Sequence, residues 1–151
     1  MHIEEHLYRQ IVRVMPIPCV DLLVTDADGR VLMVKRKNEP ARGQWWFPGG
    51  RVHYGEKRVD AAVRKLKEEC RLVPESVEEI GTYDLILPVP SAREASHAIT
   101  TLFLVRVSKT TISMDEQSLA VDWRALGDWR GDHLHPFVIE GLTLGQKKIS
   151  V

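Results

Sequence analysis

Two adjacent carboxylates follow a glycine-rich loop near the middle of the chain. The loop is residues 47–51 (FPGGR), and the carboxylates are Glu68 and Glu69. The segment between the loop and the two glutamates has the periodicity of a helix. A helix turns about 100° per residue, which places Glu68 roughly opposite the apolar face and Glu69 on its flank, with Lys65 between the two. Free backbone groups next to carboxylates offer the oxygen ligands that Mg²⁺ or Mn²⁺ prefers.

The apolar face of this predicted helix has the i, i+3, i+4, i+7 spacing. It consists of Val59, Ala62, Val63, Leu66 and Cys70. Most of the other positions are charged, as in an amphipathic helix.

The composition is that of an ordinary globular protein. With 151 residues the chain is long enough to bury a core, and residues 1–151 are most simply one domain. There are 21 Lys and Arg residues and 21 Asp and Glu residues, so no excess charge indicates nucleic acid or an acidic membrane as a partner. No apolar segment reaches the roughly 18 residues of a membrane span.

The cysteines bear on the cellular compartment. Cys19 and Cys70 lie in apolar patterns and are too few for a disulfide scaffold, so we expect core thiols in a reducing compartment. Residues 1–5 lack the basic start of a secretion signal. A cytoplasmic location is therefore expected.

The order of the predicted elements indicates an α+β fold with a mixed sheet sandwiched between helices. Residues 26–29 (DADG) form a strong turn, so the strands on either side of it make a hairpin. Helices are predicted over residues 3–14, within 56–72 and over 133–144, and strands over 19–25, 30–36, 45–47, 77–87, about 97–107 and 121–126.

Many fixed residues at fixed spacings carry a family resemblance. Gly50 is followed after five residues by Glu56, and after seven more by Arg64, then by Leu66, Glu68, Glu69 and Leu72. This string resembles the Nudix box of the Nudix hydrolases, over about residues 50–72. The flanking segments resemble the GDP-mannose mannosyl hydrolase branch of that family at residues 20–24, 35–36, 40–41, 43, 45, 47–52, 115–117 and 123.

Three positions depart from the family pattern. Lys65 stands where the box usually has a glutamate that binds metal or acts as a base. Its ammonium would pair with Glu68 or Glu69, or neutralise part of a diphosphate. Arg71 stands where glycine usually gives an easy left-handed helix stop. Ser118 stands where the mannosyl hydrolases have a histidine.

The resemblance implies a metal site. Its ligands would be the Gly49 carbonyl, Glu69 and the side-chain oxygen of Gln117, with Glu68 beside them, and the ion would be Mg²⁺ or Mn²⁺. The alternative is that Glu68 and Glu69 form a solvated helix face paired with Arg64 and Lys65.

The resemblance also implies a substrate side. Arg36 and Arg51 match arginines near the diphosphate, and guanidinium pairs well with phosphate oxygens. Surface salt bridges are the alternative for both. Asp21 interrupts an apolar strand, so an inward-facing carboxylate needs a partner. The resemblance places Asp21 near the sugar, with a structural ion pair as the alternative.

The resemblance does not identify the general base, because Lys65 and Ser118 replace the two usual bases of the family. By residue type, His53, His97, Glu68 and Glu116 can accept a proton, and His53 is favoured over His97 because it lies in the box loop. The tryptophans are predicted to be core residues.

These features predict a metal-dependent hydrolase of a nucleotide sugar or another nucleoside diphosphate derivative, with GDP-mannose as the first type of substrate. The alternatives are a nucleoside triphosphate pyrophosphohydrolase and, because of Lys65 and Ser118, a non-catalytic nucleotide-binding domain. The expected partner is a small nucleotide, with no nucleic acid and no membrane, and the resemblance suggests a homodimer.

Overall fold

A seven-stranded mixed sheet carries the fold. The computed structural model describes residues 2–90, 95–112 and 118–149. Along the chain the elements are α1 (Glu5–Val14), β1 (Ile17–Thr25), β2 (Arg30–Arg36), β3 (Trp45–Trp46), β4 (Gly49–Arg51), α2 (Arg58–Cys70), β5 (Ser76–Leu87), β6 (Ser96–Arg106), β7 (Ser118–Ala125), α3 (Leu126–Trp129) and α4 (Pro136–Ile149).

Strand β1 changes its antiparallel partner halfway along. Val24 and Thr25 pair with β2, whereas Cys19, Val20 and Asp21 pair with β4. The other edge of β1 pairs in parallel with β6 over its whole length. Strand β2 pairs in turn with β3 and β7. The short glycine strand β4 is therefore held against the half of β1 that contains Asp21.

The core has two layers, one on each face of the sheet. Val20, Leu22 and Val24 belong to a buried cluster with α2, whereas the alternate residue Leu23 belongs to a cluster with α4. Successive strand residues point to opposite faces, so a strand covered on both faces is a continuous apolar run. The predicted α+β fold with a mixed sheet between helices is confirmed.

The buried face of helix α2 differs from the predicted one. Val59 and Val63 are 41% and 39% exposed. Ala61, Lys65 and Glu69 are buried instead, together with Ala62, Leu66 and Cys70. Charged residues can take buried positions when their charges are paired, and the partners of Lys65 and Glu69 lie in the candidate site.

Three further elements differ from the expectation. Helix α1, all of whose residues the structure describes, has no buried residue, and its apolar Leu7 and Val14 are 49% and 81% exposed. The last helix begins at Pro136, which suits a first helical position, and continues to Ile149. Strand β7 runs over Ser118–Ala125 and not over the predicted residues 121–126, and the short helix α3, which was not predicted, begins at Leu126. None of the described helices is long and apolar enough to cross a membrane.

Arg71 caps helix α2 in a left-handed conformation, with φ 59° and ψ 34°. A Cβ in this conformation costs about 1–2 kcal/mol, and glycine loses part of that gain through its more flexible unfolded state. We expect Arg71→Gly to unfold with a free energy about 0.5–1 kcal/mol higher than Arg71→Ala. Urea denaturation measures the difference.

Alanine is the matched control for this prediction, because it removes the same side chain as glycine but keeps the Cβ. Equal unfolding free energies for the two variants would show that the helix ends without strain at this position.

Candidate active site

The glycine strand lies unusually close to β1. Gly49 pairs with Asp21, and a Cβ on Gly49 would overlap the Val20 carbonyl oxygen. The Leu22 N–H donates to the Pro48 carbonyl oxygen at 2.8 Å. The close approach therefore requires glycine at position 49 and fixes the backbone there.

Glu69 joins the end of helix α2 to this strand. Glu69 is only 7% exposed, and its Oε2 accepts a hydrogen bond from the Gly49 N–H at 3.0 Å. Glu68 is different, because its side chain is 48% exposed and pairs with the Arg64 guanidinium at 3.1 Å. The structure thus brings Gly49 and Glu69 together, and the more exposed Glu68 lies next to them.

Lys65 lies between the two glutamates. Its ammonium is 3.4 Å from Glu68 Oε2 and 3.4 Å from Glu69 Oε1. The pairing of both glutamates with cations, one of the two sequence-based alternatives, is therefore present. Glu69, however, is buried and not on a solvated face.

Arg64 ties the box loop to the middle of helix α2. Its guanidinium donates to both Glu56 oxygens at 2.7 and 2.9 Å, and to the Arg51 carbonyl oxygen at 2.9 Å. Glu56 also accepts the His53 N–H at 3.0 Å. The Arg64 hydrogen bonds are the main reason that the pKa of Glu56 falls to about 2. Arg64 therefore fixes the box loop relative to helix α2 by hydrogen bonds.

Asp21 is a buried carboxyl with a neutral partner. The residue is 7% exposed, and the Thr100 hydroxyl donates to its Oδ2 at 2.6 Å. Burial raises its pKa to about 6, although the Thr100 hydrogen bond and the charge of Arg36 oppose that rise. With a pKa of about 6, the Asp21 carboxyl is mostly ionised at neutral pH, and it lines the cavity.

The candidate residues line a common cavity of about 890 Å³. Arg36 reaches it from the end of β2, where its Nε donates to the Pro40 carbonyl oxygen at 2.7 Å. The described residues predicted for the site all line this cavity, namely Asp21, Arg36, Gly49, Arg51, His53, Glu68 and Glu69. Gln117 and Glu116 lie outside the described residues.

Two of the candidate bases differ in how readily they hold a proton. Partial desolvation and the charge of Arg64 lower the pKa of His53, so at neutral pH its imidazole is neutral and can accept a proton. Burial raises the pKa of Glu68, but the charges of Lys65 and Arg64 outweigh it and the net pKa is lowered. Among the described candidates, His53 is therefore better suited than Glu68. His97 also lines the cavity.

Three residues at the candidate site were not found by sequence reasoning, and two of them, Tyr8 and Cys19, line the cavity. Thr100 supplies the partner of Asp21, and Tyr8 comes from helix α1. Cys19 also lines the cavity, and burial together with the charge of Asp21 raises its pKa to about 12. Its thiol is therefore protonated at neutral pH and is no nucleophile. Cys70 is buried in the core as expected.

The donor chemistry fits a hard divalent cation. Within residues 2–90, 95–112 and 118–149, no group of three or more His, Cys, Asp or Glu side chains is arranged to hold a metal ion. The available donors are the carboxylates of Glu69 and Glu68 and the neighbouring Gly49 carbonyl. All are oxygens, which suit Mg²⁺ or Mn²⁺ and not a soft metal.

The fold and the sequence are similar to known proteins. The NUDIX domain of Shewanella oneidensis NrtR, solved with ADP ribose, matches with a TM-score of 0.74 at 22% identity, covering 97% of this chain and 99% of that one. The low-salt glycan biosynthesis protein Agl8 of Haloferax volcanii is 32% identical over 112 residues, covering 73% of this chain and 71% of that protein.

A second relative covers less of the chain. The ADP-ribose pyrophosphatase of Methanocaldococcus jannaschii is 35% identical over 92 residues, and the match spans 61% of this chain and about half, 52%, of that protein. The NUDIX domain family itself matches residues 15–136. With its box at residues 50–72 inside that match, the chain belongs to the NUDIX domain family, the Nudix hydrolases.

Proposed function

We propose that the protein is a divalent-cation-dependent hydrolase that cleaves a nucleotide sugar, and that its preferred substrate is a GDP-mannose-type compound. The supporting observation is that oxygen donors, two arginines and a buried carboxyl line the same cavity of about 890 Å³. Ligand pockets in proteins measure roughly 300–1,000 Å³. The cavity therefore has room for a substrate with both a nucleotide and a sugar.

The names of two relatives refer to sugar compounds. One is named a glycan biosynthesis protein and another an ADP-ribose pyrophosphatase. Both names agree with the resemblance of residues 20–24 and 47–52 to the GDP-mannose mannosyl hydrolase branch. A nucleoside triphosphate is a weaker candidate, because Asp21 has no role in binding a third phosphate.

On the phosphate side, the chain supplies both donors and cations. Glu69, Glu68 and the Gly49 carbonyl would hold Mg²⁺ or Mn²⁺, together with Gln117 outside the described residues. A cation bound there supplies Lewis acidity and neutralises charge on the leaving diphosphate. Arg36 and Arg51 bind the phosphate oxygens, for which guanidinium has the matching geometry.

We assign Asp21 to sugar binding and His53 to the role of general base. The Asp21 carboxyl accepts a hydrogen bond from a sugar hydroxyl, because its position on β1 faces the cavity next to the glycine strand. His53 accepts the proton of the attacking water, since its lowered pKa leaves the imidazole neutral.

We also propose that the protein is a cytoplasmic homodimer. The support for a homodimer is helix α1, where Leu7, Val14 and the adjoining Met15 are 49%, 81% and 54% exposed. A second copy would cover these side chains. Light scattering on the purified protein tests the dimer, and a monomer at all concentrations would contradict it.

A substrate panel in ¹⁸O water tests the proposed reaction. GDP-mannose, ADP-ribose and GTP are each incubated with Mg²⁺, with Mn²⁺ and with chelator. We expect cation-dependent hydrolysis of GDP-mannose, with GTP untouched. Label in the sugar marks attack at carbon, and label in the phosphate marks attack at phosphorus.

Two other results would contradict the proposal. Release of pyrophosphate from GTP with GDP-mannose intact would identify a triphosphate pyrophosphohydrolase. Binding of GDP-mannose with no turnover of any panel member would identify a non-catalytic nucleotide-binding domain.

A further inference from the structure

The Lys65 side chain is buried although it carries a charge. The residue is 9% exposed, on a helix whose neighbouring Lys67 and Glu68 are exposed. Lysine is almost never fully buried unless it is paired. Here the ammonium lies 3.4 Å from an oxygen of Glu68 and 3.4 Å from an oxygen of Glu69. Lys65 is thus fixed between the two carboxylates that are the candidate cation ligands.

The Lys65 side chain packs closely against the glycine strand. A Cβ at Gly50 would lie 2.6 Å from Lys65 Cε and 3.1 Å from its Nζ. Gly50 lies in strand β4, outside the left-handed region that would itself favour glycine. A side chain at position 50 would therefore displace the end of the Lys65 side chain from its place beside strand β4. The Lys65 side chain thus lies between strand β4 and the two carboxylates.

The cations at this edge of the cavity come close to balancing the carboxylates. Glu68 and Glu69 pair with Arg64 and Lys65, and Arg64 also pairs with Glu56, so these five side chains carry a net charge of −1. A carboxylate at position 65, as in the usual Nudix box, would leave the same five positions with a net charge of −3. The difference equals the charge of one divalent cation.

We propose that the Lys65 ammonium is a built-in cation that takes the place of one divalent cation, so that this site binds a single divalent cation at Glu69. The inference rests on the proposed function, because it assumes that the carboxylates bind a cation at all. Substrate phosphates in this protein then meet one exchangeable cation and one ammonium fixed by the chain.

Binding of Mn²⁺ alone, without nucleotide, tests the inference. Isothermal titration calorimetry and electron paramagnetic resonance of free Mn²⁺ give the number of bound ions and the Kd for the full chain. We expect one Mn²⁺ in the wild type and two in Lys65→Glu. In Lys65→Gln, which removes the charge only, we expect a Kd about tenfold lower than in the wild type, because like-charge repulsion is lost.

Lys67→Glu is the matched control, since it makes the same change of charge on the exposed face of the same helix. We expect it to bind one Mn²⁺, like the wild type. The inference is overturned if Lys65→Glu binds the same number of ions as Lys67→Glu, or if Lys65→Gln keeps the wild-type Kd. Lys65→Gln decides the question if Lys65→Glu does not fold.

The two proposals fail in different ways. If the wild type binds one Mn²⁺ and the Lys65 variants bind it identically, only the role of Lys65 is wrong. If the wild type and every folded variant bind no Mn²⁺, the cation-dependent function is wrong as well.

Discussion

Glu69→Gln is expected to lower kcat for the proposed hydrolysis by about 10²-fold or more. A metal ion contributes several kcal/mol of charge stabilisation in such reactions, and each 1.36 kcal/mol is about tenfold in rate. The buried Glu69 carboxylate contacts the glycine strand directly, because it accepts a hydrogen bond from the Gly49 N–H at 3.0 Å. Glutamine keeps the shape and the hydrogen-bond acceptor but removes the negative charge.

Steady-state kinetics at saturating Mg²⁺, together with a Mn²⁺ titration, check this result. Glu75→Gln is the matched control, because Glu75 is exposed and lies outside the residues that line the cavity. It should retain wild-type kcat and Mn²⁺ affinity. If Glu69→Gln turned over substrate at the wild-type rate, Glu69 would be a structural residue that only anchors strand β4.

Glu56→Gln is expected to remove an acid-sensitive part of the free energy of unfolding. The pKa of Glu56 lies at about 2 in the folded protein, against an ordinary value of 4.5, chiefly because Arg64 donates to both of its oxygens. A lowered pKa stabilises the fold fully above the unfolded value and loses this effect as pH falls through the folded value. The stabilisation is therefore present above about pH 5 and is lost between there and about pH 2, and amounts to at most about 3 kcal/mol.

Urea denaturation of the wild type and Glu56→Gln at pH 7, 4 and 2.5 measures this effect. The difference in unfolding free energy between the two proteins should shrink as the pH falls. Glu79→Gln serves as the control, since its pair with Arg58 is about half exposed and such pairs contribute at most about 1 kcal/mol. If the wild type kept a constant excess in unfolding free energy from pH 7 to pH 2.5, the pKa of Glu56 would be the same in the folded and unfolded states.

The box residues were predictable because their spacing is local. The interval from Glu56 to Arg64 spans eight positions, and the chain between them is a short turn and two turns of helix α2. Glu56 lies before helix α2, which begins at Arg58, so the fixed spacing of the box, and not helical periodicity, identified the two residues. The same local logic predicts the hairpin between β1 and β2, which a four-residue turn closes.

The Asp21 environment could not be predicted, because it depends on contacts between distant segments. Its partner Thr100 is 79 positions away and is brought near by the parallel pairing of β1 with β6. Nothing in the sequence around Asp21 specifies that register. A polar residue in an apolar strand indicates only that some partner exists.

The burial of Lys65 was missed for a similar reason. Helical periodicity placed it between Glu68 and Glu69, which is correct. The same periodicity gave Val59 and Val63 an apolar face that the structure leaves partly exposed. What covers Lys65 is strand β4, and that strand is only three residues long. Its approach to the helix is set by β1, so no helical pattern could reveal it.

The partner change along β1 has a consequence for how the protein acquires its activity. Residues 19–21 need β4 beside them and residues 98–102 on the other edge, so the catalytic geometry requires segments from both halves of the sequence at once. Such distant contacts close slowly, since the entropy of a long loop is lost before the contacts form. Two fragments divided between α2 and β5 would each lack one wall of the cavity, and we expect activity only when both are mixed and reassembled.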